Sequence, residues 1–466
     1  MKYIGVDLMK KQIRLNGFTQ NSVAPHSPGL WKHPQDQGYR HGDLDYWIDL
    51  AKLLERGKFD AVFLADVIGI YDVYESSYEP AIQHAVQVPL HDTLLQISAM
   101  AAATSHIGFA PTYSATYTQP YKLAREFSTL DHLTKGRIAW NIVTSYLESE
   151  AVNLGLDGQI EHDTRYDRAD EYMEVVYKLW EQSWEDDAVI QDVETGVYTD
   201  PNKVHPIKHR GEYFKVPGVH LVNPSIQRTP VLFQAGASTR GREFAAKHAE
   251  AIFTTLANNN AELKAFVDDI ANRAASYGRK RSDFKIFPAI VPIVGSTEQE
   301  AQAKYEELLS YVSYEGTLAL LSGHTGVDFS QFDPDEYVEN VKTDASRGFL
   351  EKYTIASTNK RWTVREAVIH HGLGIGATKV VGTPEQIADE LEKMATEGDA
   401  DGFNVIQATS PGTFVDFIDY VVPVLQDRGL FRKEYEANTL RENLFGIGNI
   451  HLPGNHPAKI LTQPTR

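Results

Sequence analysis

The chain has 466 residues, of which 42% are hydrophobic and none is cysteine, and its formal net charge is −18. The missing thiols exclude disulfides, thiolate nucleophiles and Cys-ligated metals, and an acidic chain without a basic face argues against nucleic-acid binding. No apolar run reaches the roughly 18 to 20 residues of a membrane span and the N-terminus lacks a secretory pattern, so we expect a soluble, cytoplasmic protein.

Eight short apolar runs, separated by amphipathic segments, predict eight β-strands that alternate with α-helices. Four runs follow directly on a helix, and a Gly stands between helix and strand in all but the third: 52–66, 130–145, 242–256 and 395–408. The other four strands are predicted within 12–18, 106–115, 229–236 and 284–295. Such strands suit a parallel sheet covered on both faces, either a closed barrel or an open doubly wound sheet, and their number favours a (β/α)8 TIM barrel.

The strand spacing predicts one elaborated domain over residues 1–446, followed by an irregular tail over 447–466. Two long intervals, about 146–228 and 296–400, are predicted to be insertions that carry helices and loops over the barrel mouth. The second interval contains a stretch rich in Gly, Ser and Asp at 322–336, so we expect it to form a lid.

Polar residues end three of the predicted strands: Asp66, Thr112, Ser114, Thr144 and Ser145. In a barrel the carboxyl ends of the strands meet at one face, where active sites are built, so these side chains are expected to converge. Each one taken singly is equally well explained as a strand end or a helix cap. Their agreement across several strands favours a site.

Two predicted helix starts carry hydrogen-bond donors. The helix that opens in 161–180 begins with His162, Arg165, Tyr166 and Arg168, although an exposed charged first turn explains this cluster equally well. The segment 234–251, QAGASTRGREFAAKHAEA, joins a strand to a helix through Gly236, Ser238, Arg240 and Gly241. Small residues let the backbone approach an anion, and free N–H groups at a helix start favour phosphate, so this segment predicts a phosphate-bearing ligand over an ordinary Ser-capped helix.

Three further motifs are not assigned chemistry. GLGIGATKVVG (372–382) repeats glycine, but it follows a helix and lacks the downstream acid of a dinucleotide fingerprint, so a turn is predicted. His370 and His371 are adjacent, which does not place two ligands on one helix face, so no zinc or other metal site is predicted. A serine-hydrolase triad is not predicted, because the sequence lacks the GxSxG motif that would carry the nucleophilic serine.

Several phrases, in this order along the chain, resemble the nitrilotriacetate monooxygenase component A family of bacterial-luciferase-like flavin enzymes. They are GLWKHP (29–34), LERGKFDAVFLAD (54–66), STLDHLTKGRIAWNIVTS (128–145), EHDTRYDRADEY (161–172), QAGASTRGREFAAKHAEAIF (234–253), VGTPEQIADEL (381–391) and the segment 411–444. The resemblance spans about residues 12–446. It implies a TIM barrel that binds reduced FMN non-covalently, a separate NAD(P)H-dependent flavin reductase, O₂ as co-substrate, and a homodimer or homotetramer.

The resemblance also implies two groups of site residues. In this family the flavin sites match Asp66, Thr112, His162, Tyr166 and Ser238. With their neighbours they form what we call the flavin wall: Asp66, Thr112, Thr144, Ser145, His162, Tyr166, Gly236, Ser238 and Arg240. The predicted substrate wall consists of Phe18, Asn21, Ser22, Tyr71, Gln87, Tyr146 and His324, of which Tyr71, Tyr146 and His324 are the candidate catalytic residues.

The substrate wall resembles two branches of the family at once. YDVY (71–74) and AVQVP (85–89) resemble the alkane-oxidising branch, which has Cys and His where this chain has Ser22 and Tyr146. LLSGHTGVDFS (320–330) resembles the sulfone-oxidising branch, in which the matching His is a proposed catalytic residue. An ordinary histidine exchanges a proton near neutral pH, although a structural loop histidine is the alternative.

We therefore expect a two-component monooxygenase that oxygenates a small apolar substrate, preferably an organosulfur compound such as a sulfone or sulfide. The alternatives are oxidation of a long-chain alkane or an aminopolycarboxylate, a deazaflavin-dependent oxidoreductase on the same barrel, and a flavin carrier without turnover.

Overall fold

The computed structural model describes residues 11–236, 238–255, 259–338, 352–353 and 360–461. Thirteen strands are found in these residues: β1 (Arg14–Gln20), β2 (Ala61–Ala65), β3 (Gly108–Ser114), β4 (Ala139–Val143), β5 (Val189–Asp192), β6 (Val197–Thr199), β7 (His209–Arg210), β8 (Lys215–Val216), β9 (Val231–Gln234), β10 (Ala251–Thr254), β11 (Lys285–Val294), β12 (Thr378–Gly382) and β13 (Gly402–Ile406).

Eight of these strands close into a parallel barrel in the order β1-β2-β3-β4-β9-β10-β11-β13, with β13 paired back onto β1. The eight barrel strands are the eight that the apolar runs predict. The pairings β10–β11 and β1–β13 complete the ring, so the barrel is confirmed and the open doubly wound sheet is excluded.

Helices cover the outside of the barrel and its two ends. Those in the described part of the chain are α1 (Leu44–Arg56), α2 (Glu79–Gln83), α3 (Ile97–Ala102), α4 (Pro120–Thr134), α5 (Glu148–Asn153), α6 (His162–Tyr177), α7 (Thr239–His248), α8 (Asn260–Ser276), α9 (Glu298–Tyr311), α10 (Tyr314–Thr325), α11 (Val364–Gly372), α12 (Pro384–Thr396), α13 (Gly412–Asp416), α14 (Val422–Asp427), α15 (Leu440–Phe445) and α16 (Pro457–Leu461). None of the described helices is long and apolar enough to cross a membrane.

The helix-to-strand units follow the prediction, and their glycines differ in conformation: Gly136, between α4 and β4, is left-handed with φ of 82°, whereas Gly57 is not. After α1 the left-handed residue is Lys58, with φ of 60°, whereas Gly57 has φ of −74°. A Cβ atom on Gly57 would lie 2.5 Å from Cγ1 of Ile418. This glycine is therefore required for close packing and not for a left-handed cap.

The turn predicted over 372–382 is wrong for its last five residues. Residues 373–376 do turn, and residues 378–382 then form β12, which pairs with β11 from Ile290 to Val294 on the outside of the barrel. The apolar run in this segment is very short, and it becomes a strand because the ten-residue β11 extends beyond the barrel and offers a partner.

Two apolar cores follow from this arrangement, one inside the barrel and one between the strands and the outer helices. Helix α15 closes the amino-terminal end of the barrel, where Leu440 and Leu444 are buried and Arg441 pairs with Glu250 at 2.7 Å. The opposite end, at which the strands finish, is therefore the end left for a site.

The two predicted insertions contain ordered elements. Residues 146–228 carry α5, α6 and the hairpins β5–β6 and β7–β8. In the predicted lid, 339–351 and 354–359 lie outside the described residues, and 322–325 finish the buried helix α10 instead of a loop. The tail is irregular apart from α16, and 462–466 lie outside the described residues.

Candidate active site

A cavity of about 360 Å³ opens at the carboxyl ends of β2, β3 and β4. Its lining includes three of the predicted flavin-wall residues, Asp66, Thr112 and Ser145, together with Tyr113 and Glu150. Concave sites for small cofactors are typically of this size or larger and combine apolar surface with a few polar groups. The prediction that these strand ends converge is met by the geometry.

Asp66 is one of several titratable groups that line this cavity. Its carboxylate accepts a hydrogen bond from Thr93 Oγ1 at 3.3 Å. Burial, followed by repulsion from the nearby Asp92, raises the pKa of Asp66 to about 8. At neutral pH the side chain is thus mostly a carboxylic acid, which can both donate and accept a hydrogen bond.

The neighbouring strand ends are fixed by their own hydrogen bonds. Thr112 Oγ1 accepts a bond of 2.8 Å from the buried amide of Asn141 on the next strand. Ser145 has a φ of 62° and donates to Ser114 Oγ at 2.9 Å. A non-glycine residue in this left-handed region is uncommon and frequently marks a functional turn.

Helix α7 begins beside this cavity with the features expected of an anion site. Ser238 is its N-cap and accepts from the N–H of Gly241 at 3.1 Å. A Cβ atom on Gly236 would lie 2.6 Å from the carbonyl oxygen of Gly241, so the chain passes too closely for a side chain. Ala237, between them, lies outside the described residues. The positive end of a ten-residue helix and a side-chain-free approach both fit the phosphate of FMN.

His162 and Tyr166, from the first turn of α6, meet this helix start. His162 Nε2 lies 3.4 Å from Ser238 Oγ. A Cβ atom on Gly241 would lie only 2.8 Å from the hydroxyl of Tyr166, so this hydroxyl packs directly against the glycine. Burial raises the pKa of Tyr166, and hydrogen bonds with Thr144 and Ser238 oppose that rise. The hydroxyl group thus links the strand end to the helix start.

Arg240 points in a different direction from the one expected of a phosphate ligand. Its guanidinium donates to Asp170 at 2.6 Å and to Asp167 at 3.1 Å, and it lies over the ring of Tyr166. In this geometry it joins α7 to α6. A direct contact between Arg240 and the cofactor stays a prediction.

The substrate wall is a connected group of hydrogen-bonded side chains. Tyr71 is at its centre, with its hydroxyl 2.6 Å from Tyr146 Oη, 3.0 Å from Gln87 Oε1 and 3.3 Å from His324 Nε2. Tyr71 and His324 are buried, and Tyr146 is partly exposed. The three candidate catalytic residues therefore meet at one point.

His324 lies near the end of helix α10 and not in a loop, and its catalytic role stays a prediction. Burial, followed by the nearby His26, lowers its pKa to about 3, which keeps the imidazole neutral at physiological pH. Its Nδ1 lies 3.0 Å from Nε2 of His371 on α11. A neutral imidazole donates at one ring nitrogen and accepts at the other.

Of the three remaining substrate-wall residues, Ser22 is joined to this network, whereas Phe18 and Asn21 have other partners. Ser22 donates to Gln20 at 3.2 Å, and Gln20 in turn donates to Gln87 Oε1 at 3.0 Å, so Ser22 belongs to the network. Phe18 is stacked on His26 with ring centroids 4.3 Å apart, in a mainly aromatic group. Asn21 instead donates to Gln96 at 3.3 Å, away from Tyr71.

Sequence reasoning missed several residues of this region: Gln20, His26, Asn141, Tyr353 and His371. A polar residue within the apolar strand AWNIV marks Asn141, and adjacent histidines mark His371. The sequence argument considered His370 and His371 only as metal ligands, whereas both lie within hydrogen-bonding distance of the Tyr353 hydroxyl.

The chain is similar throughout its length to flavin-linked oxygenases. A family model described as luciferase-like monooxygenase matches residues 20–401. The chain is 50% identical to the dimethyl-sulfide monooxygenase of Hyphomicrobium sulfonivorans, covering 97% of this chain and 94% of the relative. It is 52% identical to the long-chain alkane monooxygenase of Geobacillus thermodenitrificans (97% and 98%) and 40% identical to nitrilotriacetate monooxygenase component A of Aminobacter aminovorans (96% and 99%).

Solved structures agree with these similarities. The crystal structure of long-chain alkane monooxygenase matches with a TM-score of 0.90 and 51% identity over 97% of this chain and all of the other. A riboflavin lyase, solved with modified FMN and riboflavin, matches with a TM-score of 0.92 and 36% identity over 97% of this chain and all of the other. On its fold, its site and these similarities, the chain belongs to the luciferase-like monooxygenase family of flavin-dependent enzymes.

Proposed function

We propose that this protein is the oxygenase component of a two-component system, which uses reduced FMN and O₂ to insert one oxygen atom into a small organosulfur substrate, a sulfide or a sulfone. The junction between the two walls supports this proposal most directly: Tyr146 of the substrate wall directly follows Ser145 of the cavity lining, and its N–H donates to Glu150, which also lines the cavity. The similarity to a dimethyl-sulfide monooxygenase and to a protein named component A supports the substrate class and the separate reductase.

The flavin wall offers two kinds of contact to FMN. The start of α7, with Gly236 and Ser238, would hold the phosphate, while Asp66, Thr112 and Ser145 would face the ring system. When bound, reduced FMN supplies the two electrons that activate O₂. The protein holds the flavin in place, keeps Asp66 protonated beside it and limits the access of water.

The substrate wall is made of neutral side chains. Tyr71, Tyr146, Gln87 and the neutral His324 bond to one another, and Phe18 lies among aromatic rings. In this hydrogen-bonded group we find no charged residue among the described ones, which disfavours an aminopolycarboxylate. The phenol and imidazole groups could hydrogen-bond to the oxygen of a sulfone or to a newly oxidised sulfur, a contact that an alkane lacks.

The test is oxygen incorporation from labelled O₂. Purified protein would be supplied with FMN, NADH and an unrelated flavin reductase, then given dimethyl sulfide, dibenzothiophene sulfone, hexadecane or nitrilotriacetate separately under ¹⁸O₂. We expect ¹⁸O in the product of an organosulfur compound, detected by mass spectrometry. Incorporation into hexadecane or nitrilotriacetate alone would overturn the substrate class.

Absence of incorporation with every compound, despite tight binding of reduced FMN, would instead support a carrier. Tighter binding of a reduced deazaflavin would support hydride transfer. We also propose that the enzyme works in the cytoplasm and that it forms a homodimer or homotetramer. Light scattering on the purified protein would measure its oligomeric state.

A further inference from the structure

A continuous chain of side-chain hydrogen bonds leaves the substrate wall and enters the insertion above the barrel. It starts at Tyr146, whose hydroxyl lies 2.6 Å from Tyr71 Oη, and continues from Tyr71 Oη to His324 Nε2 over 3.3 Å. This first half joins residues that follow three different barrel strands, β2, β4 and β11, so the fold brings them together.

The second half runs through the adjacent histidines of α11. His324 Nδ1 lies 3.0 Å from His371 Nε2, and His371 Nδ1 lies 3.1 Å from Tyr353 Oη. The same hydroxyl lies 3.1 Å from His370 Nδ1. Both ring nitrogens of His324 and of His371 are therefore bonded within the chain.

Burial differs between the middle of this chain and its ends. Tyr71, His324, His371 and Tyr353 are at most 4% exposed, whereas Tyr146 and His370 are partly exposed. Lys379 lies close to the histidine end, since it donates to the carbonyl of His370. Burial first, and then the neighbouring histidines and lysines, lowers the pKa of His371, so that its imidazole is neutral.

Neutral imidazoles restrict how the hydrogen bonds can point. Each neutral ring has one N–H group and one lone pair, so it donates to one neighbour and accepts from the other. Because His324 and His371 are bonded to each other through one nitrogen and to a tyrosine through the other, their bonds must point in a common direction. The direction reverses when every proton moves to the next partner, as in a proton shuttle.

We propose that Tyr146, Tyr71, His324, His371, Tyr353 and His370 form a proton relay that carries protons between the His370 end and the substrate wall. One proton enters at His370, each O–H or N–H bond breaks as the next one forms, and one proton leaves at a tyrosine hydroxyl; no electrons move. The oxygen atom of O₂ that is not inserted would leave as water; the two protons taken up in forming it are balanced by the two that reduced FMN loses as it becomes FMN, and the relay would move such protons to or from the substrate wall. This use of the relay rests on the proposed function, whereas its existence does not.

The first test uses the flavin-free protein and is independent of turnover. Histidine side chains labelled with ¹⁵N would be observed by NMR in the wild type, in Tyr353→Phe and in the control Tyr314→Phe, whose hydroxyl on α10 has no hydrogen-bond partner among the described residues. We expect Tyr353→Phe to change the tautomer-sensitive ¹⁵N shifts of both His371 and His324, and the control to change neither. A change confined to His371 would overturn the coupling.

The second test separates proton transfer from positioning. His371→Gln retains a donor and an acceptor but cannot pass a proton by exchanging its tautomer. With dimethyl sulfide as substrate, the relay predicts that His371→Gln and Tyr353→Phe both lower kcat by about tenfold, less than the roughly 100-fold typical of a direct general acid. KM and the Kd for reduced FMN should remain unchanged, and the solvent deuterium isotope effect on kcat should increase.

Full activity of His371→Gln would show that His371 only positions His324 and would overturn the relay. If no substrate is oxygenated, the NMR experiment still tests the relay, because it does not depend on turnover. Failure of the proposed function and failure of the relay are therefore distinguishable.

Discussion

The flavin wall and the substrate wall are built in different ways. On the flavin wall, Ser238 bonds to Gly241, three residues away, and Ser145 directly follows a strand end. On the substrate wall, Tyr71 bonds to Tyr146 and His324, at sequence separations of 75 and 253 residues. The helix start of the proposed flavin wall is therefore shaped mainly by local backbone geometry, to which His162 adds a contact from 76 residues away, whereas the proposed substrate wall depends on long-range contacts between a few side chains. Substitutions on the two walls should have separable effects.

The largest effect is expected at His324. His324→Gln removes the imidazole that joins Tyr71 to His371, so kcat should fall by about 100-fold, as for the loss of a general acid or base. The Kd for reduced FMN, measured by anaerobic absorbance titration, should not change because His324 is not on the flavin wall. The control is His205→Gln at a half-exposed histidine paired with Glu185. Weakened flavin binding with normal turnover would contradict the division into two walls.

Gly236 provides the converse test. A Cβ atom in Gly236→Ala would stand 2.6 Å from the carbonyl oxygen of Gly241. Overpacking of this kind costs about 1–3 kcal/mol in the free energy of unfolding. Because the displaced loop would also move Ser238, we expect the Kd for reduced FMN to weaken as well. Gly218→Ala is the matched control, since no atom lies within 4 Å of the added methyl group. Equal flavin affinity in the two variants would show that this loop does not approach the cofactor.

A smaller effect is expected from Ser238→Ala, which removes the N-cap of α7. Loss of such a cap costs about 1 kcal/mol in the free energy of unfolding, measurable by urea denaturation. Thr383→Ala removes the equivalent cap of α12 far from the cavity and should destabilise the protein by a similar amount. Only Ser238→Ala should also weaken flavin binding. If both variants bind flavin as the wild type does, Ser238 is a structural cap alone.

The last prediction concerns pH and Asp66. Because its folded-state pKa, about 8, is above the ordinary value of 3.8, the folded state favours the protonated acid. The resulting stability is complete below pH 3.8 and is lost as the pH rises through 8. Asp66→Asn keeps the side chain neutral, so its Tm should decrease less than that of the wild type between pH 5 and 9. Asp333→Asn, at an exposed site, is the control. Parallel Tm curves for Asp66→Asn and the wild type would contradict the raised pKa.

The barrel is predictable from sequence because its strands are apolar runs bounded by helices. All eight are found, since buried parallel strands need little else to be recognised. β12 cannot be predicted in this way, because its segment forms a strand only by pairing with the carboxyl-terminal half of β11. The choice between a turn and a strand is made there by tertiary structure.

The flavin wall is similarly predictable, because strand ends and helix starts are marked by the residues themselves. Arg240 is the instructive exception, since its bonds to Asp167 and Asp170 arise from the packing of α7 against α6, which local sequence does not encode. His371 and Tyr353 were not identified for the same reason, because the hydrogen bonds from His371 to His324 and from Tyr353 to His371 form only in the packed tertiary structure.

The shared strand β11 has a consequence for engineering. Ile290 pairs with Val405 of the barrel and with Thr378 of β12 at the same time. Replacing the chain that follows β11, up to and including β12, would therefore leave the carboxyl-terminal half of β11 without its β12 partner. A library aimed at new substrates should instead keep the backbone of this segment and vary side chains on α10 and α11.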